Sequence, residues 1–265
     1  MSKERFPWRV FRALLVAGLL SMLAIIPIGM ELFKPMAAQL PEAEGPFAQL
    51  PLPLIVLIGA VQNILMLALI ILAGLALSRK INLGAPVIEG WTSGERVWPR
   101  LRPMLVPSIA AGAGVGIILT IALFLLQSRL PNLPFTIVAR AALWKRFLLC
   151  FYGGIYEELL VRLFLFSLFA WLFTLIRRKD RGLLPGAIVL WTANFLSAIL
   201  FGLGHLPSAS LLMPITPLVV TAALTLNGVA GLTFGYLFWK RGLEAAIIAH
   251  FTADFVIYVI GASFA

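Results

Sequence analysis

Apolar runs of roughly bilayer length alternate with short clusters of charge and proline along the whole chain. The first runs from about Ala13 to Phe33 and the second from about Leu54 to Leu77, where Arg79 and Lys80 stop it. A third covers about Met104 to Gln127, a fourth Trp144 to Ile176 and a fifth about Leu184 to Gly204. A sixth follows Pro217 and ends at Trp239 before Lys240 and Arg241, and the last begins at Leu243. No period-2 alternation of the kind a half-buried strand needs competes with these runs. The pattern predicts an all-α, polytopic transmembrane helical bundle of about seven to eight spans.

The connections carry their own signals. Residues 34–52 hold four prolines with Glu42 and Glu44 and read as a loop. Residues 79–102 combine Arg96, Arg100 and Arg102 with Trp91 and Trp98, the composition of a cytoplasmic interfacial segment. Residues 135–143 read as a short amphipathic helix on the membrane surface. The fourth run is long: as one α-helix, residues 144–176 would reach about 50 Å against a hydrocarbon core of about 30 Å. Gly153 and Gly154 offer it a place to bend. The small residues of Ala110 to Gly116 in the third run read as a helix-packing surface.

Composition agrees with a membrane protein and narrows its partners. The chain is 61% hydrophobic and only 12% charged, with a mean hydropathy of +1.01. The formal charge of +10 sits in short loops beside apolar runs, which argues for anionic lipid headgroups and against nucleic acid. Lys3, Arg5, Arg9 and Arg12 precede the first run, with no clean cleavage pattern after it, so it reads as a retained first span with a cytoplasmic N-terminus. The run Arg177 to Arg181 and Lys240-Arg241 then fall inside, whereas Arg129, Arg140, Lys145 and Arg146 fall outside, against the rule, as though one element were re-entrant or an eighth span were hidden. A multi-pass protein of the plasma membrane, the inner one if prokaryotic, is expected. The lone Cys150 excludes a disulfide framework.

A few ionisable groups lie inside the runs, where each is costly without a partner. On a helix Glu158 and Arg162 are four apart and can pair, leaving Glu157 about 100° away and free for chemistry. Asn194, Phe201 and His205 fall on one stripe of the fifth span, and His250 and Asp254 on one face of the seventh. Glu157, His205 and His250 can thus converge from three helices, with Glu158, Arg162, Asn194, Phe201 and Asp254 around them. Glu157 with His205 could activate a water against a peptide carbonyl, while His250, with Asp254 or Asn194 near, faces the tetrahedral oxyanion. The same Glu157, His205 and His250 form an acceptable zinc set with an open position, although the spacing fits no local zinc motif. A non-catalytic transporter or scaffold, with the polar groups as helix-helix glue, is the alternative from another class; no convincing internal repeat favours transport.

Glu157-Glu158-x-x-x-Arg162, Phe201-x-x-x-His205 and His250-x-x-x-Asp254, in that order on successive apolar runs, resemble the three signatures of the CPBP intramembrane proteases. That family is also called CAAX prenyl protease type II, Rce1-like or ABI. The likeness covers about Trp144 to Tyr258 and divides the chain into a variable N-terminal region, residues 1–143, with three spans and an interfacial segment, and a catalytic core, residues 144–265. It implies an intramembrane endopeptidase, glutamic rather than zinc-dependent, in which Glu157 and His205 activate water and His250 with the residue four further on forms the oxyanion site. The implied substrates are membrane peptides or lipidated proteins, CaaX-type prenylated ones among them. The family often has asparagine where this chain has Asp254, and an aspartate donates a hydrogen bond only when protonated.

Overall fold

The structure is a computed structural model that describes residues 6–37, 51–130, 132–176 and 184–265. Most of the loop at 34–52, the basic run Arg177 to Arg181, and Lys3 and Arg5 lie outside the described residues.

The described residues are helical throughout, with no strand. In chain order the elements are α1 (Trp8–Ala37), α2 (Leu52–Lys80), α3 (Pro86–Thr92), α4 (Trp98–Leu126), α5 (Pro134–Ala139) and α6 (Leu143–Phe151). Two π-helical segments follow, Tyr152–Glu157 and Leu159–Phe166, and then α7 (Ser167–Ile176), α8 (Ala187–Gly204), α9 (Leu206–Ser210), α10 (Pro217–Arg241) and α11 (Leu243–Asp254). The chain ends with a π segment, Phe255–Ile260, and a single 3₁₀ turn. Among the described residues seven helical stretches are long and apolar enough to cross a membrane, making this a multi-pass integral membrane protein.

Three expectations change. The fourth span is one continuous helical stretch, Leu143–Ile176, and the irregularity expected at Gly153-Gly154 takes the form of π winding, those glycines lying in the first of two π segments. The segment assigned to the membrane surface is the six-residue α5, which starts at Pro134 and turns Phe135 and Val138 into the bundle, Phe135 edge-on to Phe124 at 5.5 Å. The first helix, Trp8–Ala37, runs beyond both ends of the apolar run read as Ala13 to Phe33.

Two of the cations that break the charge rule are tied into the fold. Lys145 Nζ donates to Glu31 Oε1 at 2.6 Å, and the buried Arg146 donates through Nη1 to Ser263 Oγ at 3.3 Å. At the opposite end Glu244, at the start of α11, accepts from the backbone N–H groups of Val87 and Ile88 in the first turn of α3 at 3.0 and 2.8 Å. Arg241 Nη1 donates to Pro103 O at 2.8 Å, fixing α10 to α4 there.

Small residues set the helix spacing where the site is built. The α4 packing surface meets α11: a Cβ on Gly112 would strike the Ala249 carbonyl and sit 2.9 Å from Thr252 Cβ, and one on Gly116 would sit 2.7 Å from Val256 Cβ. Between α8 and α10, Gly231 lies against Ala198 and Gly202 against Leu224. In hydrocarbon, close approach of this kind replaces the hydrophobic effect as the source of helix association.

Gly112→Val is expected to force α4 from α11 and lower stability by about 1–3 kcal/mol, the usual cost of overpacking. Gly114→Ala, whose added methyl meets nothing within 4 Å, is the matched control. Thermal unfolding of both in the same detergent checks the contrast.

Candidate functional site

The site grows from one carboxylate. Glu158 stands at the junction of the two π segments and its side chain is 0% exposed. Its Oε1 lies 2.9 Å from Arg162 Nη1, one turn on, and accepts from His250 Nδ1 on α11 at 2.6 Å. Arg162, equally buried, donates through Nη2 to the Gly231 carbonyl of α10 at 3.1 Å. Its guanidinium also lies over the rings of Phe201 and Phe234, 5.3 and 5.6 Å from their centroids. Four spans therefore meet at one ion pair.

That arrangement sets the tautomer of His250. Because Nδ1–H donates to Glu158, Nε2 is the nitrogen turned toward the chemistry. It lies 3.7 Å from Glu157 Oε2 and 3.7 Å from Asp254 Oδ2. The ring stacks on Phe234 at 4.8 Å and meets Phe201 edge-on at 5.9 Å, so it is held on both sides.

His205 is fixed in a different way. It follows the last residue of α8, and its Nδ1 bonds to the Phe201 carbonyl at 2.8 Å. A carbonyl only accepts, so Nδ1 carries the hydrogen and Nε2 presents a lone pair. The same Phe201 ring packs edge-on against it at 4.8 Å.

Glu157, Phe201, His205, His250 and Asp254 all line one cavity of about 230 Å³, whose remaining walls are mostly aliphatic. Leu119 and Leu123 of α4 and Val219, Ala222 and Leu226 of α10 form much of that apolar wall. Glu157 is the part-exposed member of the acidic pair and Glu158 the buried one, which divides the two adjacent carboxylates into one facing the cavity and one holding the helices. Glu157 and His205 face the same space without pairing directly; the imidazole nearest to Glu157 is His250.

The glycine pair before Tyr156 has a specific use here. A Cβ on Gly153 would run into the Asp254 carboxylate and stand 3.1 Å from His250 Nε2, and one on Gly154 would stand 3.0 Å from Phe251 Cβ. The backbone beside Glu157 must lack side chains for α11 to bring His250 and Asp254 so close.

Two expectations are corrected. Asn194 is fully buried away from the cavity: its Nδ2 donates to the Leu232 carbonyl at 2.9 Å and its Oδ1 presses on Gly235, so it joins α8 to α10 and has no place at an oxyanion. The zinc set of Glu157, His205 and His250 is not assembled as one: among the described residues no three His, Cys, Asp or Glu side chains converge as ligands for one metal ion.

Sequence reasoning missed the bond from Glu158 to His250, the role of Gly153, and four further polar residues on the cavity wall, Tyr152, Ser208, Asn227 and Tyr258. Tyr258 was visible as the next turn after His250 and Asp254, and Asn227 as a lone amide in an apolar helix.

Residues 139–256, less than half of the chain, match the family model described as type II CAAX prenyl endopeptidase Rce1-like. The matched stretch runs from the end of α5 into the last π segment and contains all eight residues singled out in the sequence. No curated protein and no solved structure matches the chain.

Arg162→Met leaves Glu158 buried with a single cationic neighbour, and a broken buried pair costs about 3–5 kcal/mol. Asn194→Ala removes one neutral bond to a carbonyl that keeps its own helical partner, for about 0.5–1.5 kcal/mol. Chemical or thermal unfolding of the purified protein should rank the variants in that order.

Proposed function

We propose that the protein is an intramembrane endopeptidase of the Rce1-like type, which hydrolyses peptide bonds of membrane-associated or lipidated substrates with water activated by Glu157 and His205. The observation that carries this reading is the gathering of Glu157, His205, His250 and Asp254 on one cavity in an otherwise apolar bundle. Groups this costly in hydrocarbon point to function when they face a common space. The family match over residues 139–256 supports the same class.

The chemistry follows from which atoms face the cavity. A water held between Glu157 and His205 Nε2 gives its proton to one of them as its oxygen attacks the substrate carbonyl carbon. The carbon-oxygen π pair moves onto the carbonyl oxygen, and His250, flanked by Glu157 and Asp254, meets the developing charge as an imidazolium. Collapse re-forms the carbonyl and breaks the C–N bond, and the leaving amine takes the proton. The products are a carboxylate and an amine, and Glu157 and His205 return to their starting state. Asp254, acceptor-only when ionised, serves to hold His250 Nε2 in charge and direction rather than to donate to the oxyanion.

Residues 144–265 are read as the catalytic core and residues 1–143 as the variable part, with α4 of that part lending Leu119 and Leu123 to the cavity wall. The aliphatic walls favour a substrate segment that is itself apolar, whether a membrane peptide or a lipid-modified one, a CaaX-type prenylated protein being one case. The cations Arg79, Lys80, Lys240 and Arg241 sit at the other end of the bundle from the cavity, suited to anionic headgroups and to a cytoplasmic N-terminus.

Glu157→Ala and His205→Ala are each expected to abolish cleavage of a reconstituted membrane peptide while leaving the melting temperature close to that of the parent protein. Wild-type turnover by either purified variant would rule the mechanism out. Comparing membrane peptidomes of cells carrying active and Glu157→Ala protein would then name the substrate. Gly153→Ala, which pushes on Asp254 and crowds His250, should lower the rate at least tenfold; an unchanged rate would show that the close approach of α11 is not needed for turnover.

A further inference from the structure

An aspartate at the end of the last signature leaves the cavity short of a neutral N–H donor. His250 Nε2 stands between two carboxylate oxygens, and His205 Nε2 presents a lone pair, so neither Glu157, Asp254 nor His205 offers a hydrogen to a carbonyl oxygen in its resting state. Among the residues that line the cavity, Asn227 is the single carboxamide. It lies on the face of α10 that carries Ala223, Ala230 and Phe234 toward the cavity, and it is the polar exception on that face.

The height of Asn227 follows from the α8–α10 packing. Gly231 abuts Ala198 and Gly202 abuts Leu224 and Ala223, so the antiparallel pair sets Asn227 level with Phe201 and Ala223 level with His205. The Asn227 side chain reaches one turn toward the His205 level, donating through Nδ2 to the Ala223 carbonyl at 2.9 Å. An amide nitrogen has two hydrogens. The helix uses one, and the second N–H and the Oδ1 have no protein partner among the described residues.

Granting the peptidase reading of the cavity, we propose that Asn227 is a further catalytic residue, whose free N–H takes up the oxyanion as it forms on the scissile carbonyl, beside His250. The bond to Ala223 holds the amide in place before substrate arrives, so little reorganisation accompanies the charge transfer. Its position on α10, one helix from the Glu158 node, lets the donor and the water-activating pair approach the carbonyl from different walls. Asp254 is then free to serve His250.

The test uses the full chain in proteoliposomes with an internally quenched peptide that carries an apolar segment. Asn227→Ala and the nearly isosteric Asn227→Asp should lower kcat by roughly 10²- to 10³-fold, the usual effect of removing one oxyanion donor. KM should stay unchanged, because the lost bond forms only with the transition state. A phosphonate analogue of the same peptide should lose affinity for both variants by the factor lost in kcat, and melting temperatures of both should match the parent. Wild-type kcat for Asn227→Ala, in a protein that Glu157→Gln inactivates, would overturn the assignment and leave the peptidase reading standing. A loss confined to KM, with the phosphonate and the peptide weakened alike, would likewise reduce Asn227 to a wall residue. Equal rates for the parent and Glu157→Gln would defeat the peptidase reading itself, and the role of Asn227 with it.

Discussion

The buried ion pair between Glu158 and Arg162 is the constraint on which the rest of the architecture depends. A carboxylate and a guanidinium withdrawn from water are tolerated only when their remaining bonding capacity is met inside the protein. Here the surplus is distributed outward: His250 takes a share of the carboxylate, and Gly231 O, Phe201 and Phe234 take the guanidinium. Each of these partners belongs to a different turn or helix. Satisfying one charge pair therefore fixes α8, α10 and α11 relative to the fourth span, and with them the two histidines.

Such an arrangement needs close helices as well as paired charges. The π winding around Glu157 and Glu158 widens the turn at the point where two adjacent carboxylates must diverge, one into the cavity and one into the packing. Ser167 Oγ, reaching back five residues to the Arg162 carbonyl at 3.4 Å, closes the wide segment on its far side. The missing side chains at Gly112, Gly116, Gly153 and Gly154 let α11 lie in a groove between α4 and the fourth span. Charge satisfaction and small-residue packing are thus two halves of one device: without the grooves His250 could not reach Glu158, and without Glu158 the imidazole would have no reason to be there.

Hydropathy made most of the fold legible because the bilayer imposes length and polarity on every span, and Arg79-Lys80 and Lys240-Arg241 marked ends that the helices respect. The pairing of Glu158 with Arg162 was readable from spacing alone, being local. What was not readable were contacts between helices. A stripe containing Asn194, Phe201 and His205 shows that α8 turns one face inward, but inward has two directions: Phe201 and His205 meet the cavity while Asn194 meets the Leu232 carbonyl. Helix α5 likewise looked amphipathic, and only the neighbours of Phe135 show that this side chain faces protein. Glu244 bonds to Val87 and Ile88 through contacts 157 and 156 residues apart that no periodicity announces.

The two imidazoles illustrate how a single fold produces unlike reagents from one residue type. Both rest against Phe201, and both commit Nδ1–H to an oxygen of the protein. For His205 that oxygen is a neutral carbonyl, and its outer nitrogen presents a lone pair to the cavity, which suits a proton acceptor. For His250 the oxygen is a carboxylate, and two more carboxylates stand 3.7 Å from its outer nitrogen. A ring placed among carboxylates in this way suits stabilising an anion rather than taking a proton from water. The division of roles follows from what surrounds each ring, since the nitrogen turned toward the cavity is Nε2 in both.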